Sequence, residues 1–266
     1  MKYTFFYIVG GDDKYYYQLE RSIRSLNRCI KAPFKIKILD IGKKLKSSAN
    51  IEVIYINRDI TKKQIFWQYK YYLCQNIDTE YGIYLDCDTV VCSDPLDDVF
   101  KKIGEKFGLV NHFYIKDFKD FLSVFPNEKT FEYIRKFNIS LNNLFFTGGV
   151  FFFKNTKKNI IFLKDVFDLH FQFYKSDKDE YIEGLYDETF ISTIFSNHHV
   201  NLNGAMNHCS ANYMPLKIKN DELWGKNPQD ENFEKVFVLH GSSDRQIQGL
   251  DFYEDIKSKI KKAWDI

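Results

Sequence analysis

Tyr81-Gly82-Ile83-Tyr84-Leu85-Asp86-Cys87-Asp88-Thr89 is an apolar run that ends on two carboxylates two residues apart. Tyr81–Leu85 has the composition and length of a buried strand, and Asp86 and Asp88 fall where that strand stops. Both acids can reach one hard divalent cation, or phosphates bound to it, and oxygen ligands suit Mn²⁺ or Mg²⁺. The plainer reading is an acidic turn that caps the next element, helped by Asp94-Pro95. The context of the run decides between the two.

Upstream, strand-like and helix-like segments alternate. Tyr3–Val9 is β-prone and ends at Gly10-Gly11-Asp12-Asp13; Tyr16, Leu19, Ile23 and Leu26 then recur at spacings of three and four, which predicts a helix over Tyr15 to Leu26. Phe34–Leu39 alternates apolar residues with Lys and reads as a half-buried strand. Ile51–Ile56 reads as a further strand and Gln64–Asn76 as an aromatic-rich helix. The alternation predicts an α/β fold with a mainly parallel central sheet flanked by helices, whose ligands sit outside the carboxyl ends of the strands. Both acid-bearing turns fall at such ends.

Downstream, Phe145–Phe153 is an apolar run broken by Gly148-Gly149, either a strand bulge or a close backbone approach to a ligand. Asn159–Tyr174 and the segment opening at Asp187 read as helices, and Val236–Leu239 as a strand ending at His240-Gly241. With no repeat or Pro/Gly-rich linker, residues 1–266 read as one domain. Its nucleotide-binding half covers about 1–110, and its sugar and acceptor half about 111–266.

Composition narrows the function. A net charge of +2 over 266 residues supplies no global field for nucleic acid. Five cysteines without CxxC spacing argue against a disulfide framework or a Cys-rich zinc site. The opening apolar run is too short for a signal peptide and no stretch matches a bilayer span, so a cytoplasmic protein is expected, with the sequon at Asn138 unused. Ile256–Trp264 is basic with one aromatic: a solvated terminal helix, or a weak peripheral contact with an anionic membrane.

Taken in order, these motifs resemble glycosyltransferase family 8, retaining enzymes of the GT-A fold (a Rossmann-like nucleotide-sugar-binding fold). Gly11-Asp12-Asp13-Lys14-Tyr15, after Gly10, looks like the family's first-strand loop "A-D-D-N-Y", which implies contacts from Asp12, Lys14 and Tyr15 to the base. Tyr69-Lys70 resembles "L-K" on the helix before the metal motif. Asp86 and Asp88 match the DxD pair, and His240 resembles the third metal ligand. Phe146-Thr147-Gly148-Gly149-Val150 resembles "F-N-S-G-V" beside the donor sugar, and Asp187-Glu188 resembles "D-Q" near the anomeric carbon. The resemblance implies transfer of a hexose (glucose or galactose) from a UDP-sugar, with retention. The acceptor would be a saccharide, a glycolipid or a protein.

Five positions depart from that pattern. Thr147 stands for Asn, Gln68 for Arg, and Glu188 for a neutral Gln. The late "H-x-x-G-x-x-K-P-W" motif carries Ser243 and Gln246 in place of its Gly and Lys, and Arg245 is the nearest cation for the phosphates. An Asp-Glu pair is also similar to the blood-group-type retaining transferases, whose glutamate is catalytic. The plainer readings are helix caps for Asp12, Asp13 and Asp187, surface residues for Tyr15 and Lys70, and structural roles for His112, His170, His198, His199 and His208.

Two further classes compete. Leu85-Asp86-Cys87-Asp88-Thr89 also fits the opening motif of haloacid-dehalogenase-type phosphatases, in which the first Asp is a nucleophile. That motif normally opens its domain, whereas several elements precede it here. A non-catalytic nucleotide-sugar-binding protein is the other, motivated by the altered donor-site residues.

Overall fold

The computed structural model describes residues 1–56, 63–174, 181–195, 198–209, 216–220, 222–226 and 230–241. The first half runs β1 (Tyr3–Val9), α1 (Asp13–Cys29), β2 (Phe34–Asp40), β3 (Ile51–Ile54), α2 (Lys63–Cys74), β4 (Tyr81–Leu85), β5 (Thr89–Val91) and α3 (Leu96–Ile103). It continues with β6 (Phe107–Asn111), α4 (Phe118–Val124), α5 (Glu128–Lys136), β7 (Phe146–Lys154), α6 (Lys157–Phe173), α7 (Asp187–Phe195) and β8 (His199–Leu202). A 3-10 turn (Gly204–Asn207) leads into β9 (His208–Cys209), β10 (Leu216–Lys219), β11 (Glu222–Gly225), β12 (Glu234–Lys235) and β13 (Val238–His240).

The central sheet has the order β3-β2-β1-β4-β7-β6-β8. The pairs β1–β2, β1–β4 and β2–β3 are parallel, as the alternation of the first hundred residues predicts; β6 and β8, later in the chain, also pair in parallel, and β7 lies antiparallel to both β4 and β6. The sheet separates two cores, which explains why its central strands read as unbroken apolar runs rather than alternating ones. Along β1, Tyr3, Phe5, Tyr7 and Val9 enter the core under α1 and α3, while Phe6 and Ile8 enter the core under α2, α4, α5, α6 and α7. The 18% aromatic content is largely spent here, in stacks such as Tyr84 on Phe151 at 5.0 Å and Tyr81 on Phe100 at 4.1 Å.

The half-buried reading of β2 needs correction. Lys37 is almost wholly buried, and its ammonium is neutralised by Glu52 at 3.1 Å and Asp78 at 3.4 Å and donates to the Asn76 carbonyl. A buried charge is tolerable when paired in this way, so the lysine is a core residue with ionic partners.

Two features position the site. In the pairing of β6 with β7 the register moves from Leu109↔Phe151 to Asn111↔Phe146, so a step of two residues in β6 faces a step of five in β7. The excess lies at Thr147-Gly148-Gly149, the break visible in the sequence. A small sheet, β5-β13-β9, sets His240 opposite Thr89, the residue that follows Asp88.

Candidate active site

A cleft of about 640 Å³ opens at the carboxyl ends of β1 and β4, the position expected for a ligand site in an α/β sheet. Its wall includes Asp86, Asp88, His240, Lys70, Asp187 and Glu188. With Asp12 at its rim, five carboxylates share one cleft, four of them grouped around Lys70 and His240, and the charge balance of those four organises the site.

Asp86 leaves β4 with its backbone N–H bonded to the Gly149 carbonyl at 2.9 Å and its Oδ1 accepting from the Tyr84 hydroxyl at 2.7 Å. His240 Nε2 lies 3.5 Å from Asp86 Oδ2 and 3.3 Å from Asp88 Oδ1, and one ligand atom from each of the three falls within 4.8 Å of the others. Burial raises the Asp86 pKa, with Lys70 and His240 opposing. Burial also works against the Asp88 charge, but attraction to His240 outweighs it and lowers the pKa. Burial likewise opposes the His240 charge, yet the two carboxylates lift its pKa to about 9. An imidazolium thus stands where the carboxylates demand a cation.

The donor chemistry fits a divalent ion that replaces this proton. Two carboxylates and one imidazole form a set that Mn²⁺ accepts readily and Mg²⁺ accepts through its oxygens. His240 Nδ1 lies 3.0 Å from the Asn207 side-chain oxygen, and Asn207 in turn donates to Thr147 Oγ1 at 3.1 Å. With Nδ1–H held by Asn207, the Nε2 lone pair of a neutral ring points at the two aspartates, as a metal-ligating histidine requires.

Lys70 is 2% exposed and donates to Asp187 Oδ2 at 2.6 Å and to the Gly148 carbonyl at 3.0 Å, with Asp86 Oδ1 at 3.6 Å. Burial disfavours its charge, but Asp187 and Asp86 outweigh this and raise its pKa. The surface reading of Lys70 is therefore wrong. Its ammonium is the bridge between the metal-type carboxylate and the first acid of α7, and its charge is used inside the protein.

Gly148 and Gly149 are glycines because side chains crowd them. A Cβ at Gly149 would lie 2.1 Å from His240 Cε1 and 2.9 Å from Asp86 Oδ2; one at Gly148 would lie 2.2 Å from Asp187 Oδ2. Gly149→Ala is accordingly expected to displace His240 and weaken Mn²⁺ binding at least about tenfold, read by calorimetric titration, a loss of about 1.4 kcal/mol. Unchanged Mn²⁺ affinity in a folded variant would contradict this packing.

Glu188 Oε1 faces the Gly148 N–H at 3.4 Å. Burial, then the neighbouring Asp187, lifts its pKa from the ordinary 4.5 to about 7. Between those values the folded chain keeps a proton that the unfolded chain releases. The contribution of this carboxyl to stability is thus full below pH 4.5 and falls as the pH rises through about 7. In metal-free buffer, Glu188→Gln is expected to gain Tm relative to wild type over this window and to show no gain near pH 4.5. A pH-independent difference would rule the ionisation out as its cause.

The other residues singled out by sequence motif divide. Gly10, Gly11, Asp12 and Tyr15 line the cleft, and Gly11 adopts φ 83°, a left-handed turn that favours glycine. Asp12 occupies the N-cap position of α1 without making a capping hydrogen bond, so its carboxylate is not committed to the helix. Lys14 stands outside the cleft lining, exposed and 3.8 Å from Asp12. Thr147 lies behind the wall, bonded to Asn207. Arg245 and the basic stretch Ile256–Trp264 fall outside the described residues. Sequence reading missed Asn207, the aromatic wall of Trp67 and Tyr186 (6.1 Å apart, edge to face), and His112, whose Nε2 is 3.8 Å from Glu188 Oε2.

No family model matches the sequence, and no curated protein matches it. Solved structures do. The chain is similar to the galactosyltransferase LgtC in complex with donor and acceptor sugar analogs, with a TM-score of 0.60 and 15% identity over 98% of this chain and 95% of that one. It is similar to the bifunctional glycosyltransferase WbbM (TM-score 0.59, 12% identity, 98% of this chain and 51% of that one). It is also similar to mouse xyloside xylosyltransferase 1 (TM-score 0.52, 11% identity, 92% of this chain and 99% of that one). The likeness is one of fold: the chain has the GT-A fold of glycosyltransferases.

Proposed function

We propose that the protein is a metal-dependent glycosyltransferase that transfers a hexose from a UDP-sugar, with retention, to a saccharide, glycolipid or protein acceptor. One observation carries the reading: Asp86, Asp88 and His240 converge within 4.8 Å in a cleft at the strand carboxyl ends, with Asp187 and Glu188 on the same wall. Asp86, Asp88 and His240 would hold Mn²⁺ or Mg²⁺. When bound, that ion supplies charge neutralisation for the leaving diphosphate.

The chain's own residues do the rest. Asp12 and Tyr15 receive the base at the first-strand turn. Lys70 pairs with Asp86 and Asp187 together, which offsets the cost of burying two acids side by side. Gly148 and Gly149 let Asp187, Asp86 and His240 close over the β7 backbone, beside the place proposed for the donor sugar. Glu188, partly protonated near neutrality, faces the anomeric region as a group able to accept or give a proton. The leaving phosphate can take the acceptor's proton in reactions of this type, so no separate base is demanded.

The phosphatase reading is not favoured, since it makes Asp86 an attacking carboxylate, whereas Tyr84 and His240 already face its two oxygens. The non-catalytic reading is separated by activity. Purified protein incubated with UDP-, GDP- and CMP-sugars, in Mn²⁺, Mg²⁺ or EDTA, is expected to release UDP from one donor only and to lose this in EDTA. Release that survives EDTA would remove the metal from the reading. No release from any donor, together with no thermal shift from UDP, would remove the enzyme class.

A further inference from the structure

We infer that His112, which has no assigned role in the reading above, is a positioning residue that fixes the Glu188 carboxylate through an Nε2–H group held in one tautomer by the backbone. The inference rests on the proposed function for what Glu188 does, but not for the contact itself.

His112 follows β6 directly, and its own N–H bonds the Phe145 carbonyl at 2.8 Å, which pins it beside the entry to β7. Its Nδ1 accepts the backbone N–H groups of Ile115 at 3.1 Å and Tyr114 at 3.3 Å. An acceptor of two N–H bonds has no room for a proton, so the neutral ring carries its proton on Nε2. Phe113 stacks on the ring at 4.6 Å and Phe145 meets it edge-on at 5.7 Å, so the plane is fixed as well as the tautomer. Nε2 then faces Glu188 Oε2 at 3.8 Å while Gly148 N–H faces Oε1 at 3.4 Å. One oxygen of the carboxylate accepts from the Gly148 N–H of β7, and the other is turned toward the His112 Nε2–H at the end of β6 without a direct hydrogen bond.

Burial pushes the His112 pKa down to about 4, so the ring remains a neutral donor through the ordinary working range. The separation of 3.8 Å is longer than a hydrogen bond. A rotation of the Glu188 side chain closes it, or one sugar hydroxyl spans it, accepting from His112 and donating to Glu188. Contacts of this kind tighten when substrate binds. The neutral Gln found at this position in the resembled family presents only one acceptor oxygen, whereas Glu188 presents two. A second fixed donor is therefore what this chain's carboxylate calls for.

Two substitutions separate positioning from a purely structural role. His112→Asn places an acceptor where Nδ1 stands and keeps the turn at Tyr114 and Ile115, but it has nothing at Nε2. His112→Gln places an amide N–H near Nε2 and lacks the Nδ1 acceptor. Positioning predicts that Asn lowers kcat about 10- to 100-fold, with the donor KM within about threefold, and that Gln recovers part of the loss. A structural role predicts the reverse order, with Asn near wild type and Gln the worse of the two, and that result would overturn the inference. Nitrogen-15 spectra of the wild-type imidazoles provide a readout that needs neither variant nor turnover. His112 is expected as the Nε2–H tautomer, with its Nε2–H resonance moving in Glu188→Gln. An Nδ1–H tautomer, or a resonance indifferent to Glu188, would sink the contact. Should the wild-type protein transfer no sugar at all, the glycosyltransferase reading fails, and these spectra still decide the pair.

Discussion

Asp88→Asn is expected to abolish metal-dependent donor cleavage, with kcat falling about 10³-fold or more. Metal-ion stabilisation of a developing phosphate charge is worth several kcal/mol, and each 1.36 kcal/mol is a factor of about ten in rate. The residue is small, but its position is exacting. Asp88 Oδ1 is 3.3 Å from His240 Nε2, and His240 in turn is 3.5 Å from Asp86 Oδ2. Neutralising Asp88 removes one of the three proposed ligands. It also removes the largest of the attractions that raise the pKa of His240. Two measurements check it together: UDP release with saturating Mn²⁺, and a Tm rise on adding Mn²⁺, expected in the wild type and absent in the variant. Near-wild-type turnover would take Asp88 out of the site. Lost turnover with an intact Mn²⁺ shift would place the ion elsewhere and leave Asp88 a different role.

Lys70→Met is expected to be the most destabilising single change in the cleft. The side chain keeps its length and apolar stem, so packing against Tyr84, whose ring centroid is 4.9 Å from Nζ, is largely preserved. What disappears is the ammonium that Asp187 meets at 2.6 Å and Asp86 at 3.6 Å. Breaking a buried ion pair by removing one partner typically costs about 3–5 kcal/mol, because the other charge remains buried and unpaired. Here two carboxylates are left behind. Urea unfolding measures the loss, and Lys70→Met combined with Asp187→Asn is expected to recover part of it by removing one stranded charge. A loss below about 1 kcal/mol, within the range of an exposed pair, would mean that the network is not the electrostatic centre described. Added Mn²⁺ is expected to offset part of the cost in the single variant, since a cation at Asp86 supplies some of the missing charge.

The cleft's chemistry follows from one constraint. Asp86, Asp88, Asp187 and Glu188 cannot all be ionised in a buried place without compensation. Lys70 compensates two of them permanently. His240 compensates Asp88 and Asp86 by a proton that a divalent ion can replace. Glu188 is compensated least and therefore holds its own proton up to about pH 7. The contrast between acids paired with Lys70 or His240 and Glu188, which is paired least, separates the proposed metal ligands from a group free to act on substrate.

Much of this was legible in the sequence. The strand–helix alternation from Tyr3 to Leu85, the acids at the end of β4 and the opening of α7 at Asp187 are local patterns, set by hydrophobic periodicity and by where a run stops. His240 enters through the resemblance, as the third ligand after Asp86 and Asp88, and the break at Gly148-Gly149 is visible in the sequence as either a bulge or a close approach. Less could be said of side chains whose role depends on a partner far along the chain. Lys70 looks like any helix lysine until Asp187, 117 residues later, is placed 2.6 Å away. Lys37 looks solvent-facing until Glu52 and Asp78 enclose it. Asn207 sits in a 3-10 turn with no motif around it, and only the parallel pairing of β9 with β13 brings it to His240.

The sequence by itself therefore determined the fold class, the end of the sheet where a ligand is expected, and the two acids that close β4, while the family resemblance pointed to Asp187, Glu188 and His240. Spacing and periodicity report which residues a strand or helix delivers to a given end, and that information is local. The tertiary structure alone decided the charge states, the tautomers and the neighbours: that His240 turns Nε2 toward the two aspartates, that Lys70 is spent on Asp187, and that His112 faces Glu188. Those properties arise from close approaches between residues distant in sequence, set by strand register and by the excess residues of β7. No periodicity along the chain encodes such distances.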